Sequence, residues 1–462
     1  MELVQNPKKL FGTDGVRGIA NLEPMTPEIS LKLGKALVSI LKKQKAQSRK
    51  IRVVVGKDTR LSGYMFEQAI SAGITSMGAD VLLVGPLPTP AIAFLTVNMR
   101  ADAGVVISAS HNPYEDNGIK FFDRWGFKLP DELEYEIERL VLSDSTKDLK
   151  VPPSDIGKAF RIEDAQGRYV VFVKNTFPKD LTLEGIRIVL DCANGAAYKV
   201  SPIVLQELGA EVITIGVTPD GRNINRECGA LNSKLLKEKV LETSAHIGIA
   251  LDGDADRVIF CDERGEEIDG DKIIAMCADE MIRNHTLSGN AVVTTIMSNM
   301  ALEMFIRSRG AQLIRTPVGD RYVVEEMRRR NCNFGGEKSG HIVFLDHTTT
   351  GDGTLAALQI LALMVRREKS LSELSRIIEL FPQLLLNVRV RERKPLEDIP
   401  GLKNLVDLHS KKLDTHGRIL LRYSGTEPLL RVMVEGENEE LIRDIAKEIA
   451  SHIEKHIGLE DA

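Results

Sequence analysis

Three stretches of the 462-residue sequence repeat one pattern of apolar runs and turns. Each begins with a β-branched run, passes through a polar turn into a helical segment ending in Gly-Ala, and finishes with a second apolar run before a proline. The three stretches are 51–86, 186–219 and 291–317. An apolar strand on each side of a helix that stops at glycine is a βαβ unit. The repeat therefore predicts three similar α/β domains, each a mixed sheet between helices, with one large doubly wound sheet as the alternative.

The sequence after Pro382 follows a different pattern. Val388 and Val390 alternate with arginines, which is the period of a half-buried strand, and isoleucines recur at four-residue spacing in a closing helix. We therefore expect an α+β domain at this end, beginning at a boundary near Pro382. The predicted domains, grouped around a central cleft, are 1–160, 161–265, 266–382 and 383–462.

Composition excludes several classes of protein. Hydrophobic residues make up 43% of the chain and charged residues 27%, which argues against a disordered or fibrous protein. The net charge of −5 gives no field that would draw the chain to nucleic acid. Apolar runs fall short of the ~18 residues of a membrane span, so we expect no membrane partner. The first residues lack a basic segment followed by an apolar one, so we expect no secretory signal. The five cysteines form no CxxC pair, and we expect reduced thiols in a cytoplasmic protein.

A serine-containing loop, SASHNP from Ser108 to Pro113, follows the predicted strand 103–107. Ligands of α/β folds bind at the carboxyl ends of strands, so the Ser110 hydroxyl is a candidate covalent carrier of phosphate. Lys120 supplies a cation ten residues later. A serine turn that merely closes the strand is the competing interpretation.

A second loop, DGDADR, follows the predicted strand 247–250 and carries Asp252, Asp254 and Asp256. Three carboxylates at alternate positions can turn onto one hard cation, and we expect Mg²⁺. A calcium EF-hand is an alternative because Glu263 falls at the twelfth position, but that loop requires glycine where Arg257 stands and follows a helix. A solvated acidic turn is the other alternative.

A third loop runs from Phe334 to His341 and contains paired glycines, which allow a ligand to approach the backbone. Glu337 and Ser339 can hydrogen-bond hydroxyl groups, and His341 can act as a general acid or base because its ordinary pKa is near neutrality. An ordinary glycine-rich turn with a surface histidine is the competing interpretation.

A fourth loop joins two predicted strands and reads RYSGTEP from Arg422 to Pro428, with Arg431 three residues further on. Hydroxyl groups, a glycine-opened row of backbone N–H groups and two arginines are typical of a phosphate-binding nest. A plain hairpin is the alternative, but two arginines flanking such a turn favour an anion.

The opening segment, FGTDGVRG, adds a glycine-rich turn that carries Arg17. It matches neither GxGxxG nor GxxxxGK[ST], and no hydrolase triad signature stands out, which disfavours dinucleotide dehydrogenases, P-loop kinases and hydrolases. The four chemical loops fall one in each predicted domain. Together they predict phosphoryl transfer to and from a phosphorylated polyol.

SASHNP, DGDADR, GEKSGH and RYSGTEP, in this order, resemble the α-D-phosphohexomutase family over nearly the whole chain. Within that family the chain looks most like the bacterial-type enzymes that act on glucosamine phosphates. The segments that carry this closer resemblance are FGTDGVRG, Asn223-Ile224-Asn225, PVGDRY at 317–322 and DHTTTGDG at 346–353. One departure is Ala255, where the family usually has glycine, and we expect the metal loop to tolerate the added methyl group.

The resemblance implies a role for each loop. Ser110 would be phosphorylated and would share Mg²⁺ with the three aspartates Asp252, Asp254 and Asp256. Glu337 and Ser339 would contact sugar hydroxyls. The residues that would bind the non-reacting phosphate are Arg422, Ser424, Gly425, Thr426 and Arg431. Those that would lie near the transferring group are Arg17, Lys120, Arg257 and His341.

The implied reaction interconverts glucosamine 6-phosphate and glucosamine 1-phosphate through a phosphoserine and a bisphosphate intermediate, for synthesis of UDP-N-acetylglucosamine. A hexose 1,6-bisphosphate would prime the enzyme, the partner would be a small sugar phosphate, and a homodimer is compatible with the resemblance. The alternatives are a phosphomannomutase/phosphoglucomutase of the same fold and a non-catalytic sugar-phosphate-binding protein.

Overall fold

The computed structural model describes residues 10–12, 14–44, 49–143, 145–424 and 428–459. The chain divides into two compact units. The first combines Met1–Ile296 with Leu313–Ile377, and the second combines Met297–Gln312 with Ile378–Ala462.

The secondary-structure elements alternate between strands and helices through most of the chain. The helices are α1 (Pro27–Gln44), α2 (Ser62–Ser76), α3 (Thr89–Asn98), α4 (Asp131–Leu142), α5 (Ala165–Lys174), α6 (Val200–Glu207), α7 (Lys234–Thr243), α8 (Gly270–Arg283), α9 (Met300–Ser308), α10 (Asp320–Arg330), α11 (Gly353–Arg367), α12 (Leu371–Leu374), α13 (Leu402–Leu413) and α14 (Glu439–Ile457). The strands are β1 (Phe11–Gly12), β2 (Gly15–Ile19), β3 (Arg52–Lys57), β4 (Asp80–Pro86), β5 (Ala103–Ile107), β6 (Asp116–Asp123), β7 (Ala159–Arg161), β8 (Arg187–Asp191), β9 (Glu211–Ile215), β10 (Ile247–Leu251), β11 (Val258–Asp262), β12 (Glu267–Ile268), β13 (Ala291–Thr295), β14 (Gln312–Thr316), β15 (Phe334–Gly336), β16 (Ile342–Phe344), β17 (Gln383–Arg389), β18 (Gly417–Tyr423) and β19 (Leu429–Gly436).

Three mixed sheets confirm the predicted α/β repeat and exclude a single large sheet. Their strand orders are β1-β2-β6-β5-β3-β4-β7, β12-β11-β10-β8-β9 and β14-β13-β15-β16. The predicted βαβ units form β3-α2-β4, β8-α6-β9 and β13-α9-β14 along the chain. In the first two βαβ units the paired strands, β3 with β4 and β8 with β9, are parallel, as a helical crossover requires.

The two strands that lead into the serine loop and the aspartate loop are buried along their whole length. Every residue of β5 and β10 is buried, which explains why these strands are continuous apolar runs rather than alternating ones. In the first sheet β3 runs parallel to β5, and in the second β8 runs parallel to β10. The loops after β5 and β10 therefore begin at carboxyl ends of strands, where the sequence predicts ligand chemistry.

Helix α1 shows how local sequence signals produce these elements. It begins after Thr26, whose Oγ1 accepts a 3.3 Å hydrogen bond from the N–H of Ile29. Leu33 and Leu37 are buried against the core of the first sheet, as their spacing predicts. Among the described residues, no helix has both the length and the apolar character needed to span a bilayer.

The second unit contains the predicted α+β segment. Strands β17, β19 and β18 form an antiparallel sheet in that order, with α13 and α14 packed beside it. Ile445, Ile449 and Ile453 of α14 are buried against Val388 and its neighbours, so the four-residue spacing of the isoleucines is confirmed as a core face. Helix α9 belongs to this unit, a grouping that the sequence did not predict.

Candidate active site

Ser110 is buried at the carboxyl end of β5, with only 1% of its surface exposed. Its hydroxyl donates a 2.5 Å hydrogen bond to Asp252 Oδ2, and Nδ1 of His111 lies 3.3 Å from the same hydroxyl oxygen. The backbone of Ser110 has φ of 52°, a left-handed conformation that non-glycine residues rarely adopt. A turn that merely closes a strand would not require a strained serine whose hydroxyl points at a carboxylate. The geometry therefore favours a functional role for Ser110 over that alternative.

The three predicted metal ligands come together after β10. Carboxylate oxygens of Asp252, Asp254 and Asp256 all lie within 4.8 Å of one another, and the three side chains are buried. Asp254 Oδ1 and Asp256 Oδ1 have no hydrogen-bond donor among the described residues. Buried carboxylate oxygens without donors are costly unless a cation binds them, so this set fits a hard divalent ion such as Mg²⁺.

The calcium-loop alternative does not fit this geometry. The Glu263 carboxylate accepts a 3.3 Å hydrogen bond from the N–H of Ser372 and is not one of the clustered ligands. The aspartate loop also follows strand β10 rather than a helix. Among the residues that the structure describes, the clustered carboxylates are therefore those of the three aspartates.

The backbone of the aspartate loop explains where glycine is needed. The aspartate loop and the serine loop are in direct contact at Gly253. A Cβ at this position would lie only 2.5 Å from the carbonyl oxygen of Ser110, so glycine is needed there. Ala255 has φ of 57°, so the glycine that the family usually has at this position would relieve a left-handed strain. The loop is nevertheless formed with alanine there.

Charges in the cluster separate the pKa values of its carboxylates. Burial raises the pKa of Asp252 well above its ordinary value, and the nearby charges of Asp256 and Asp254 raise it further. Burial would also raise the pKa of Asp256, but the cations of Lys120, His341 and Arg257 outweigh burial and lower it. A carboxylate with a raised pKa thus accepts the hydrogen bond of Ser110.

Three predicted cations lie around the serine and the aspartates. Lys120 Nζ is 2.9 Å from Asp254 Oδ2 and 3.8 Å from Asp256 Oδ2. Arg257 Nη1 lies 3.2 Å from His111 Nδ1, and Arg17 pairs with Asp14. The Nε atoms of Arg17 and Arg257 are buried, and no described residue accepts a hydrogen bond from them. Buried guanidinium N–H donors that lack an acceptor and interact with the clustered aspartates suit an additional anionic group such as phosphate.

His111 is held in its neutral form. Burial lowers its pKa to about 4, and the charges of Arg257 and Arg17 act in the same direction. Because Arg257 donates toward Nδ1, the neutral ring carries its proton on Nε2. His111 belongs to the SASHNP motif, but its sequence position did not indicate a role. Only the structure shows that its ring lies beside the Ser110 hydroxyl.

The third loop places Glu337 and His341 near the same cluster, whereas Ser339 is exposed at the turn. Glu337 Oε1 accepts a 3.0 Å hydrogen bond from the N–H of Gly319. The buried ring of His341 accepts a 2.9 Å hydrogen bond at Nε2 from the N–H of Gly351, so the neutral ring carries its proton on Nδ1, 3.7 Å from Asp256. Burial would lower the pKa of His341, but nearby carboxylates, Asp320 foremost, raise it.

Further polar and charged residues, which the sequence did not predict as site residues, contact the side chains of these loops. Lys128 Nζ lies 2.5 Å from Asp14 Oδ1 and 2.6 Å from Asp320 Oδ2. Asp320 Oδ2 is in turn 3.4 Å from His341 Nε2. Thr89 donates a 2.7 Å hydrogen bond to Asp254 Oδ2. The position of Thr89 at the start of α3, after a strand, is the signal that could have pointed to it.

The fourth loop lies in the second unit. Arg422 on β18 is directly opposite Arg431 on β19, and Arg431 Nη2 lies 3.5 Å from Ser424 Oγ. Burial lowers the pKa of Arg422, and the charge of Arg431 lowers it further. Two arginines opposed across a ladder repel each other, so a bound anion would stabilise the pair. Gly425 and Thr426, predicted members of this site, lie outside the described residues.

Together these observations define an α/β protein with a candidate site for metal-assisted phosphoryl transfer. The four domain models of the phosphoglucomutase/phosphomannomutase family match the chain, domains I, II and III as alpha/beta/alpha domains and domain IV as the C-terminal domain. The matched residues are 8–148, 167–265, 269–381 and 385–452. The chain belongs to this family of α-D-phosphohexomutases.

Curated relatives match over nearly their whole length. The phosphoglucosamine mutase of Syntrophotalea carbinolica is 59% identical over 98% of this chain and 98% of its own length. That of Geobacter sp. strain M21 is 58% identical over 98% of this chain and 99% of its own length.

Solved structures share the fold at low sequence identity. A phosphoglucomutase/phosphomannomutase family protein from Burkholderia thailandensis aligns with a TM-score of 0.80 at 21% identity, covering 96% of this chain and 97% of its own. Aspergillus fumigatus N-acetylphosphoglucosamine mutase, solved with GlcNAc-6P and magnesium, aligns with a TM-score of 0.67 at 18% identity, covering 97% and 96%.

Proposed function

We propose that the chain is a phosphoglucosamine mutase that interconverts glucosamine 6-phosphate and glucosamine 1-phosphate. The full-length similarity to enzymes of that name supports the reaction. The observation that carries the chemistry is the 2.5 Å contact between the Ser110 hydroxyl and Asp252 within the buried aspartate cluster. A nucleophile beside ligands suited to a divalent cation is what reversible phosphoryl transfer needs.

In this proposal Ser110 carries the transferable phosphoryl group. The bond between its Oγ and phosphorus breaks as a sugar hydroxyl oxygen of glucosamine 6-phosphate bonds to the same phosphorus and loses its proton, while Ser110 Oγ takes up a proton and becomes a free hydroxyl. The product is a glucosamine 1,6-bisphosphate held non-covalently by the enzyme, whose serine is now dephosphorylated. After the sugar turns around, its other phosphate returns to Ser110 Oγ, and the released sugar oxygen regains a proton.

The remaining residues bind and neutralise charge. Mg²⁺, held by Asp252, Asp254 and Asp256, would supply charge neutralisation for the phosphoryl group. Lys120, Arg17 and Arg257 direct cationic groups toward the position that phosphate on Ser110 would take. His341 holds a proton at Nδ1 on the same side as Asp256, where it can face the transferring group.

The sugar and its distal phosphate have separate contacts in the proposal. Glu337 and Ser339 bind sugar hydroxyls. Arg422, Ser424, Gly425, Thr426 and Arg431 hold the phosphate that does not react in a given half-reaction. A hexose 1,6-bisphosphate primes the unphosphorylated enzyme. The activity is that of a cytoplasmic enzyme of amino-sugar synthesis, and a homodimer stays a prediction.

The sugar assignment is tested by comparing rates with four substrates. Glucosamine, N-acetylglucosamine, glucose and mannose 6-phosphates are assayed side by side with the same bisphosphate activator. The highest kcat/KM is expected with glucosamine 6-phosphate. A dominant rate with glucose or mannose would support a phosphoglucomutase or phosphomannomutase instead, and no rate with any of them would support a binding protein.

The phosphoserine is tested by intact-protein and peptide mass spectrometry after incubation with glucose 1,6-bisphosphate. One added phosphate on Ser110 is expected. Ser110→Ala is expected to abolish both labelling and turnover, while Ser76→Ala on α2, whose hydroxyl donates within its own helix, serves as the control. Retained turnover by the Ser110→Ala protein would contradict the carrier role.

A further inference from the structure

Arg60 is a fully buried arginine directly below the serine loop, with 0% of its surface exposed. Its Nη2 donates 2.9 Å hydrogen bonds to the carbonyl oxygens of both Ser110 and Asn112. Its Nη1 donates to the carbonyl oxygens of Pro113 and, at 3.0 Å, Asp116. The guanidinium group therefore donates hydrogen bonds to four backbone carbonyl oxygens between Ser110 and Asp116.

Asn225 reaches the same carbonyls from a different part of the chain. Its Nδ2 donates to the carbonyl oxygens of Ser110 at 2.9 Å and of Asn112 at 3.0 Å. Asn225 is 115 residues from Ser110 in sequence and follows β9. We call Arg60 and Asn225, with the two carbonyls that they share, the carbonyl clamp.

The N–H side of Ser110 is fixed by a connected set of bonds. Asp58 Oδ2 accepts from Arg60 Nε at 2.8 Å and from the hydroxyl of Ser108 at 2.7 Å. The Ser108 oxygen in turn accepts a 2.9 Å hydrogen bond from the N–H of Ser110. Both backbone polar groups of Ser110 are thus held by side chains that connect to one buried ion pair.

This arrangement explains how Ser110 keeps an unfavourable backbone. Its φ of 52° is unfavourable for a residue with a Cβ, and such a conformation persists only where neighbouring groups hold it in place. The clamp also bears on the aspartate loop, because a Cβ at Gly253 would lie 2.5 Å from the Ser110 carbonyl oxygen and 2.9 Å from Asn225 Nδ2. The position of the clamped Ser110 carbonyl therefore limits how closely the loop that carries Asp252 can approach the serine.

We propose that Arg60 and Asn225 are positioning residues for phosphoryl transfer, holding Ser110 in its left-handed conformation so that Oγ faces Asp252. The proposal rests on the proposed mutase function. Neither side chain touches the reacting hydroxyl, so the clamp acts through the backbone of the serine loop. Misplacing a nucleophile by about 1 Å costs on the order of 100-fold in rate, so the clamp is expected to influence kcat far more than substrate binding.

Asn225→Asp tests the clamp with almost no change in volume. The new carboxylate oxygen would face two carbonyl oxygens instead of donating to them, which loosens the loop. We expect kcat to fall roughly 10- to 100-fold with KM within about twofold of wild type. The rate at which a hexose 1,6-bisphosphate phosphorylates Ser110 should fall by the same factor as kcat.

Asn223→Asp is the matched control, because the Asn223 side chain donates to the carbonyl of Thr218 in the same segment and does not reach the serine loop. It is expected to keep wild-type kcat. Arg60→Lys retains the charge without the fork and should lower kcat in the same way. Thermal midpoints of all variants identify any loss that comes from unfolding, since a merely structural role lowers the midpoint and leaves kcat per folded molecule unchanged.

Wild-type kcat in both Asn225→Asp and Arg60→Lys, or an effect on KM alone, would overturn the clamp while leaving the mutase function intact. The assays use whichever hexose phosphate the wild-type enzyme turns over fastest. If the wild type turns over none, the proposed function fails first and the positioning role fails with it. The two failures are therefore distinguishable.

Discussion

Lys120 Nζ lies 2.9 Å from Asp254 Oδ2 and equally 2.9 Å from Asp14 Oδ2, with the lysine almost completely buried. Burial would lower the pKa of Lys120, but the charges of Asp14, Asp254 and Asp256 outweigh burial and raise it. The ammonium group therefore stays charged beside the proposed metal ligands. It neutralises part of the acidic cluster, and for that reason it opposes the binding of a second cation there.

Lys120→Met is expected to separate metal binding from catalysis. Removing the ammonium group removes repulsion toward Mg²⁺, so metal affinity should rise roughly tenfold. At the same time kcat should fall at least ~100-fold, because a cation near the transferring group is lost. Manganese titration followed by electron paramagnetic resonance gives the affinity, and steady-state assays give kcat.

Lys128→Met is the matched control. Lys128 contacts Asp14 and Asp320, and neither of these is one of the three proposed metal ligands. Its metal affinity should stay within about twofold of wild type. Weaker metal binding in the Lys120→Met protein would contradict the competition between the two cations.

Asp254→Asn is expected to weaken Mg²⁺ binding by tenfold or more and to lower the rate at limiting Mg²⁺. The substitution removes a full negative charge from a carboxylate whose Oδ1 has no donor among the described residues. Glu263→Gln provides the control, since that carboxylate accepts from Ser372 outside the cluster. Wild-type kinetics of Asp254→Asn at limiting Mg²⁺ would argue against the aspartates as ligands.

Arg431→Ala is expected to raise KM for glucosamine 6-phosphate by roughly tenfold or more with a smaller change in kcat, because the distal phosphate is held throughout the reaction. Steady-state kinetics measure both constants. Arg443→Ala, on the exposed side of α14 where Arg443 pairs with Glu439, should leave KM unchanged. An unaltered KM in Arg431→Ala would count against the phosphate nest.

Much of the fold and of the site is local in sequence and could be predicted. The apolar run of β5 and the loop holding Ser110 are contiguous, and the same is true of β10 and its aspartates. Because parallel strands present their loops at one edge of a sheet, the rule that ligands bind there identified these chemical loops.

The parts that could not be predicted depend on contacts between distant segments. Lys128 and Asp320 are 192 residues apart, and nothing in either flanking sequence indicates the 2.6 Å contact between them. Arg60 follows β3 in a polar turn, where its charge predicts a solvated residue rather than a fully buried one. The left-handed conformation of Ser110 is also invisible in sequence, since turn residues with positive φ are usually glycine or asparagine.

Asp352 provides a prediction about stability and pH. The residue caps α11, where Oδ1 accepts from the N–H of Leu355, and its Oδ2 accepts a 2.8 Å hydrogen bond from the hydroxyl of Tyr169. Burial raises the pKa of Asp352 to about 6 from an ordinary value of 3.8. Because the folded pKa is the higher one, the stabilisation is complete below pH ~4 and is lost as the pH rises through 6.

Asp352→Asn removes this titration while keeping a cap and a partner for Tyr169. The free energy of unfolding of the variant relative to wild type should therefore increase between pH 4 and 7, by at most about 3 kcal/mol for a shift of about two pKa units. Urea unfolding at several pH values in this window measures the difference. Asp164→Asn is the control, because the exposed Asp164 has a pKa lowered chiefly by its hydrogen bond with Arg168, so any effect falls below pH ~4. Parallel pH profiles for wild type and Asp352→Asn would show that Asp352 stays ionised throughout this range.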